Sequence, residues 1–573
     1  MKRNKNIGII LFIVILIIIN IIVNTLNLSL DLTNEKRYSM SLQTKNILSS
    51  LDDRLYIKVY LKGEFPSGFK KLQQETEQLL FKMRNIAKSN IDFEFINPSL
   101  NDTEKEELFR QLINQGLLPT DLQLKKQDKL TSQIIFPGAI IYYKDKYMAI
   151  NFLKNNIGVS ASENINSSIE NLEYEFISSI NKLISTDNKK IAFLEGNKEL
   201  SAQEVYDISE SVLENNFNLS FYYNVDRFNI KLFPLDSIKA EVDISRQLEK
   251  LNEYKLIIIA KPKEPFNNLE KYLIDQYIMH GGKVIWLIDG VVANMDTLQK
   301  NEDGFIAVKN RLNLDDQLFK YGVRVNSDLI QDMRATEIPI VTGYTANMPQ
   351  QTFFKWPYYP LLFSTSHHPI SKGLDAIKCD FVSSIDTIKN NIKKTILLHS
   401  SSNSRVIPSP SKVSLSILKT PGLTDSYNKR HIPIAVLLEG EFESIFHNRL
   451  LPKKELKIKS RSKENQMIII SDGDMIANRV TEKGNIFPLG YDRFIDFVYP
   501  GNKQFLINAV HYLCDDSNLL DLKTKELKLR LLDKSNIKKY KLLIQILNTI
   551  VPLLFLVLIS IFFNIYRRNM YAK

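Results

Sequence analysis

Residues 253–290, EYKLIIIAKPKEPFNNLEKYLIDQYIMHGGKVIWLIDG, confine the middle of this chain to one kind of architecture. Leu256–Ala260 is apolar without alternation, which predicts a strand buried on both faces of a parallel sheet. Pro262 and Pro265 break it, and Leu269, Tyr272, Leu273, Tyr277 and Ile278 then recur at helical spacing. Glu270, Lys271 and Asp275 fall on the opposite face of that helix. Gly281-Gly282 offers a left-handed exit, and Val284–Ile288 is a second buried strand ending in Asp289-Gly290. Strand, helix, strand is a βαβ unit with a right-handed crossover, so the central domain is expected to be doubly wound α/β.

Two further stretches cannot be water-soluble structure. Residues 7–23, IGIILFIVILIIINIIV, and Leu542–Ile565 each have the length and apolarity of a membrane-spanning helix. Lys2, Arg3 and Lys5 precede the first, which places its start in the cytoplasm. No A-x-A-like site or lipobox-like cysteine follows, so an uncleaved anchor is expected. The second contains Pro552 and is followed by Arg567, Arg568 and Lys573. Two spans put both termini on one side, and about Asn27 to Lys541 outside the cytoplasm. Lys534, Lys538, Lys539 and Lys541 sit on the external side, where the charge rule is weaker beside a large translocated domain. The expected location is the bacterial inner (plasma) membrane, with a large periplasmic domain.

The expected organisation is an anchor over 1–28, a first domain over 29–188, the α/β domain over 189–520, a juxtamembrane linker over 521–541, a second span over 542–566 and a tail over 567–573. In the first domain the order is βαβαββα. Strands fall at Leu55–Leu61, Ile91–Ile96, residues 134–136, Ala139–Tyr143 and Tyr147–Phe152, and helices near Phe69–Ile86, Thr103–Asn114 and Ile165–Ile184. The order resembles the thioredoxin fold, with Pro137 where that fold places a cis-proline. The first loop, Gly63-Glu64-Phe65-Pro66, carries no cysteine, which excludes thiol redox chemistry there.

In the α/β domain, Ile191–Leu194 is the first strand, Ala202–Asn215 a helix and Phe217–Tyr223 a second strand. Leu314–Tyr321 reads as a helix and Val325–Leu329 as a short edge strand. From about Ala335 to Ile370 both periodicities fade and Phe353, Phe354, Trp356, Tyr358 and Tyr359 crowd together, as in an irregular packed insertion near 335–370. Phe381–Ile385, Thr395–Leu398, Ile434–Leu438 and Met467–Ile470 read as strands, Ser400–Ser411 as a loop, and Lys453–Gln466 as a mobile, solvated loop. Asn502–Leu513 is a helix.

The chemistry on offer is sparse. The 75 basic and 64 acidic residues give a formal charge of +11, but they are interspersed without a recognition motif, so nucleic acid is not an expected partner. Cys379 and Cys514 build no zinc spacing, CxxC or disulfide framework. Ligands of doubly wound sheets sit beyond the carboxyl ends of the strands. Those ends carry Glu195-Gly196, Asp289-Gly290 and Ser471-Asp472-Gly473-Asp474, which makes Glu195, Asp289, Asp472 and Asp474 the candidate ligand cleft. Asp and Gly are also ordinary exits from a strand. His367-His368, as neighbours on an extended chain, point to opposite faces and do not chelate one ion. With no phosphate-binding loop and no nucleophile–histidine elbow, neither catalysis nor a bound cofactor is expected.

Several stretches, in order, resemble the GldG family, the auxiliary component of the ABC transporter associated with bacterial gliding motility. They are DLTNEKRYSMSLQTKNIL (Asp31–Leu48), VYLKGEFPSGFKKL (Val59–Leu72), FINPS (Phe95–Ser99), HPISKGLD (His368–Asp375), IAVLLEGEFESIF (Ile434–Phe446) and IIISDGDMIAN with PLGYDRF (Ile468–Phe494). The resemblance implies a thioredoxin-like domain and a domain similar to class I glutamine amidotransferases, flanked by one transmembrane helix at each end. It also implies a non-enzymatic partner of a separate permease and a separate ATPase, acting as a coupling or docking module. The amidotransferase nucleophile is not carried over, because no cysteine follows Val284–Ile288 or Met467–Ile470. The alternatives are a membrane-tethered receptor for a solute or glycan, and an envelope hydrolase using Asp472 and Asp474.

Overall fold

The computed structural model describes Val14 and residues 39–88, 90–98, 105–126, 129–153, 160–184, 189–209, 223–233, 243–300, 303–345, 348–364, 366, 368–419, 426–515, 519–524 and 540–571. The expected first span apart from Val14, the Thr103 helix cap and most of the Phe217–Tyr223 strand lie outside these residues. The chain divides into two units, Ser39–Lys525 and the terminal segments Met1–Tyr38 with Glu526–Lys573.

The larger unit contains two mixed sheets. In the first, β1 (Leu55–Val59), β2 (Ile91–Phe95), β5 (Gly138–Tyr143) and β6 (Lys146–Asn151) take the order β2-β1-β5-β6. β1 and β2 are parallel, and β5 is antiparallel to β1 and to β6. A separate hairpin, β3 (Thr120–Lys126) with β4 (Lys129–Ile135), precedes β5. Helices α1 (Leu42–Ser49), α2 (Ser67–Ile86) and α4 (Ala161–Ile184) cover the Leu55, Ile57 and Ile141 face, and α3 (Lys105–Asn114) covers the Ile140 face. The Phe136–Pro137 peptide is not cis; the cis X–Pro bond among the described residues joins Ser409 and Pro410.

The second sheet has seven strands: β7 (Lys190–Glu195), β8 (Asn224–Asn229), β9 (Leu256–Ala260), β10 (Lys283–Leu287), β11 (Lys393–His399), β12 (Pro433–Glu443) and β13 (Arg461–Ile470). Their order is β11-β12-β13-β10-β9-β7-β8. β8, β7, β9, β10 and β13 are parallel, and β12 and β11 extend the β13 side antiparallel. The continuous apolar runs are explained by burial on both faces. Ile258, Ile285 and Ile468 pack with Phe505 and Leu506 of α8 (Gly501–Cys514) on one side. Ile257, Trp286 and Ile469 pack on the other against α5 (Ile244–Asn252), α6 (Asn268–Met279) and α7 (Asp315–Tyr321). Such alternation along parallel strands is what a three-layer α/β domain requires.

The βαβ unit forms as its sequence predicts. Asn267 and Glu270 make a capping box at the start of α6. Gly281 leaves the helix at φ +101°, and a side chain at Gly282 would lie 2.2 Å from the Tyr277 ring. The expected solvent face of α6 is absent, however. Glu270, Lys271 and Asp275 are all buried: the segment after β12 and helix α7 lie over Asp275 and Lys271, and Asn197, in the loop after β7, donates to Glu270. Asp275 accepts from Ser444 Oγ (2.6 Å), Ile445 N (3.0 Å) and Tyr321 Oη (2.8 Å). Lys459 N donates to Gln276 Oε1 at 2.7 Å. The Lys453–Gln466 stretch is therefore cover and strand rather than a solvated loop: its second half belongs to β13, with Ser462 and Asn465 buried. Its lysines point outward while its backbone satisfies α6.

Three further expectations change. The insertion is a long antiparallel hairpin, Ala335–Thr345 with Met348–Leu362, interrupted by two register shifts. Its pattern fades because only the base is buried, where Ile338, Trp356, Tyr358 and Tyr359 form a satellite core. Ser404–Pro408 is a strand paired with Asp328–Asp332 rather than a loop. At 381–385 only Ile385 is in a strand, since Phe381 takes φ +53°. In the smaller unit, α9 (Lys541–Tyr571) contains Gln545–Asn569, 25 residues long and apolar enough to cross a membrane.

Candidate functional site

Register decides where the acidic strand tips meet. Leu287 of β10 is level with Ala260 of β9 and with Ile470 of β13. Asp289 and Asp472 thus lie the same two residues beyond neighbouring strand ends. Gly473 N donates to Asp289 Oδ1 at 2.6 Å, and Asp474 N to Asp472 Oδ1 at 2.8 Å. Carboxylate oxygens of Asp289, Asp472 and Asp474 lie within 4.8 Å of one another.

Lys261, the first residue past β9, closes this cluster. Its backbone takes φ +53°, and its Nζ lies 3.5 Å from Asp289 Oδ2 and in an ion pair with Asp474 Oδ1. Position 473 must be glycine for this to fit, because a Cβ there would stand 2.6 Å from Lys261 Cγ and 3.0 Å from Asp289 Oδ1. Burial opposes the charge on Lys261, but Asp474 and Asp289 outweigh it and raise its pKa. Asp472 has no exposed surface and accepts from Asp380 N at 3.0 Å. Burial, then the neighbouring Asp474, Asp289 and Asp380, hold its carboxyl well above the ordinary range. Burial likewise raises Asp289, against the pull of Lys261. Three carboxylates would suit a divalent cation, yet the Lys261 ammonium already supplies positive charge among them.

A second, partly buried lysine repeats the arrangement. Lys378 Nζ pairs with Asp380 Oδ1 at 2.5 Å and stands 4.6 Å over the Tyr359 ring. Asn502 fixes its backbone on both sides, accepting from Lys378 N at 2.9 Å and donating to Lys378 O at 2.8 Å. Both lysines face a cleft of about 590 Å³, whose wall includes Arg493, itself paired with Asp296 at 2.7 Å. The floor is polar, with its lysines already paired to neighbouring carboxylates, so it offers fixed donors and acceptors. Cys379 lies beside Asp472; burial, followed by that carboxylate, pushes its thiol well above its usual range, so no thiolate forms.

Of the four residues expected at a cleft, the fold unites Asp289, Asp472 and Asp474 and separates Glu195. Glu195 ends β7, beyond β9 in the sheet, and its carboxylate is ion-paired with Arg227 of β8. His368 packs against Tyr512 at 4.9 Å, and His367 lies outside the described residues. Sequence reasoning missed Lys261, Lys378 and Asp380. The available signal was Lys261-Pro262 directly after a fully buried strand, where the chain must turn over the strand ends.

Residues 34–142 match a domain of unknown function, DUF7088. A Borreliella burgdorferi protein described as uncharacterized is 22% identical over 519 residues, which cover 88% of this chain and 85% of that protein. Among solved structures, the mmIFT52 N-terminal domain is 14% identical with a TM-score of 0.31, covering 57% of this chain and 98% of that one. Residues 188–509, more than half of the chain and all of the seven-stranded sheet, match the auxiliary family described as an ABC-type uncharacterized transport system. The chain therefore belongs to that family of ABC transporter auxiliary proteins.

Proposed function

We propose that this protein is a non-enzymatic, membrane-anchored, extracytoplasmic subunit of an ABC-type transporter complex associated with gliding motility, working as a coupling or docking module alongside a separate permease and a separate ATPase. The observation that carries the reading is the family match over residues 188–509 in a chain that also has the bilayer-length helix Gln545–Asn569. ATP binding comes from another chain, since this one carries no P-loop. The β2-β1-β5-β6 order supports a thioredoxin-like first domain, and the parallel core supports an amidotransferase-like second domain. The lysine-locked carboxylates favour a structural role for the strand tips over hydrolysis: Asp472 is sealed from solvent, and Asp474 is committed to Lys261.

Purification of the full-length protein from its native membrane in mild detergent tests this reading. Co-purification of an ATPase and a multispanning permease at fixed stoichiometry, weakened by deletion of Leu542–Ile565, is the expected outcome. Recovery of the protein alone under several detergents would sink it.

A second reading, a membrane-tethered solute or glycan receptor, is favoured by the 590 Å³ cleft. Alanine at Arg493, on the cleft wall and outside the lysine-locked cluster, separates the two. Complex assembly persists under the first reading, whereas ligand binding disappears with assembly intact under the second.

A further inference from the structure

The hairpin formed by Ala335–Thr345 and Met348–Leu362 changes character along its length. Its base is core, with Ile338 and Trp356 buried, and its last charged rung is the cross-strand pair Glu337 and Lys355. Beyond that rung, residues 338–354 contain no Asp, Glu, Lys or Arg, in a chain where 24% of residues are charged. The side chains exposed there are apolar, aromatic or uncharged polar, the last being Thr342, Gln350, Gln351 and Thr352. Val341 and Phe353 are about half exposed on the same face, and Tyr344 and Met348 are each 75% exposed near the turn.

We infer that this outer hairpin is a lipid contact, whose side chains enter the interfacial region of the bilayer in which the chain is anchored. Interfacial segments combine aromatic and large apolar side chains with uncharged polar ones, which matches Tyr344, Met348, Phe353, Thr342 and Gln350. Pro339 and Pro349 lie in the two strands and lack the N–H that an added strand would need. That argues against a protein strand joining the edge and leaves side-chain insertion. Insertion of three or four side chains would be weak for a free protein. The inference rests on the membrane-anchored reading, because tethering makes the second contact intramolecular.

The test uses the full-length protein in phosphatidylcholine vesicles. Cys379 and Cys514 are buried, so a Met348→Cys variant takes a bimane label selectively at the hairpin, with Lys483→Cys as an exposed comparison site. Brominated acyl chains are expected to quench the label at 348 and leave that at 483 unaffected. Because no charge participates, added anionic lipid and added salt leave the quenching unchanged. Adding Tyr344→Asp abolishes it. Flotation of the protein with the vesicles reports the anchor independently, so loss of the anchor and loss of the hairpin contact give different results. Full flotation without quenching at 348 overturns the inference. So does shielding of the label only when a permease is co-reconstituted, which would make the hairpin a protein contact.

Discussion

The Gly473 amide donates to Asp289 Oδ1 at 2.6 Å, stitching together two strand ends that are 184 residues apart in the chain. The same carboxylate is 3.5 Å from Lys261 Nζ, so β9, β10 and β13 share one electrostatic knot. An ammonium held among carboxylates is stabilising only while every partner is present. Removal of one leaves the others desolvated and unpaired.

Lys261→Ala is accordingly expected to destabilise the domain by about 3 kcal/mol, read as a lower urea midpoint. The three carboxylates, freed of their internal cation, should then accept Ca²⁺. Millimolar calcium is expected to raise the melting temperature of the variant and leave the wild type unchanged. Equal responses would refute the assignment of Lys261 as the site's resident charge.

Gly473→Ala acts on the same knot without removing a charge. The new methyl would stand 2.6 Å from Lys261 Cγ, forcing the lysine away from Asp289 and Asp474. A loss of roughly 1–3 kcal/mol follows from overpacking of this kind. A double variant with Lys261→Ala should recover part of that cost, because the collision partner is gone.

Asp275 is a different buried carboxylate, with structural work only. Its loss orphans the Ser444 hydroxyl, the Ile445 amide and the Tyr321 hydroxyl at once. Asp275→Ala is expected to cost roughly 3 kcal/mol or more. The cover over α6 loosens with it, so trypsin should cut the Lys453–Lys459 stretch faster in the variant. Unchanged cleavage there would mean that the cover is held by Lys459 and Gln276 instead.

His368 supplies a pH dependence. Burial pushes its pKa down from 6.5 to about 4, and Ile370 N donates to its Nδ1 at 3.3 Å. The folded protein thus favours neutral imidazole. The associated stability is fully present above the unfolded value of 6.5 and is lost as pH falls from there toward about 4. Urea midpoints should decline across that window in the wild type, and more shallowly in His368→Gln.

What the sequence discloses, and what it conceals, follows from where each signal originates. Leu256–Ala260 and Val284–Ile288 are legible because burial on both faces leaves an unbroken apolar run. The level ends of β10 and β13 could not be read, since their adjacency depends on strand order, so Asp289 and Asp472 could be nominated but not joined. Glu195 satisfied the same local rule and lies elsewhere in the sheet. Asp275 and Lys271 looked like a solvent face because the cover that buries them comes from residues 444–460 and from α7. Lys261 was missed for a related reason. A lysine after a strand reads as solvated until its carboxylate partners arrive from β10 and β13. The hairpin past Ala335 was obscure because half of it has no core to impose a period.

The position of β13 also bears on how the domain comes to exist. It is hydrogen-bonded to β10 on one side and β12 on the other, yet it is among the last pieces of the domain to be synthesised. Until residues 461–470 arrive, the parallel half-sheet and the antiparallel pair have no common strand, and Trp286 sits on an open edge. Pairings of such long sequence separation form slowly. The Asp289–Asp474–Lys261 knot can close only after that insertion, so its formation marks completed assembly. A chain cut short before Arg461 would present two unmatched sheet edges to chaperones or to aggregation.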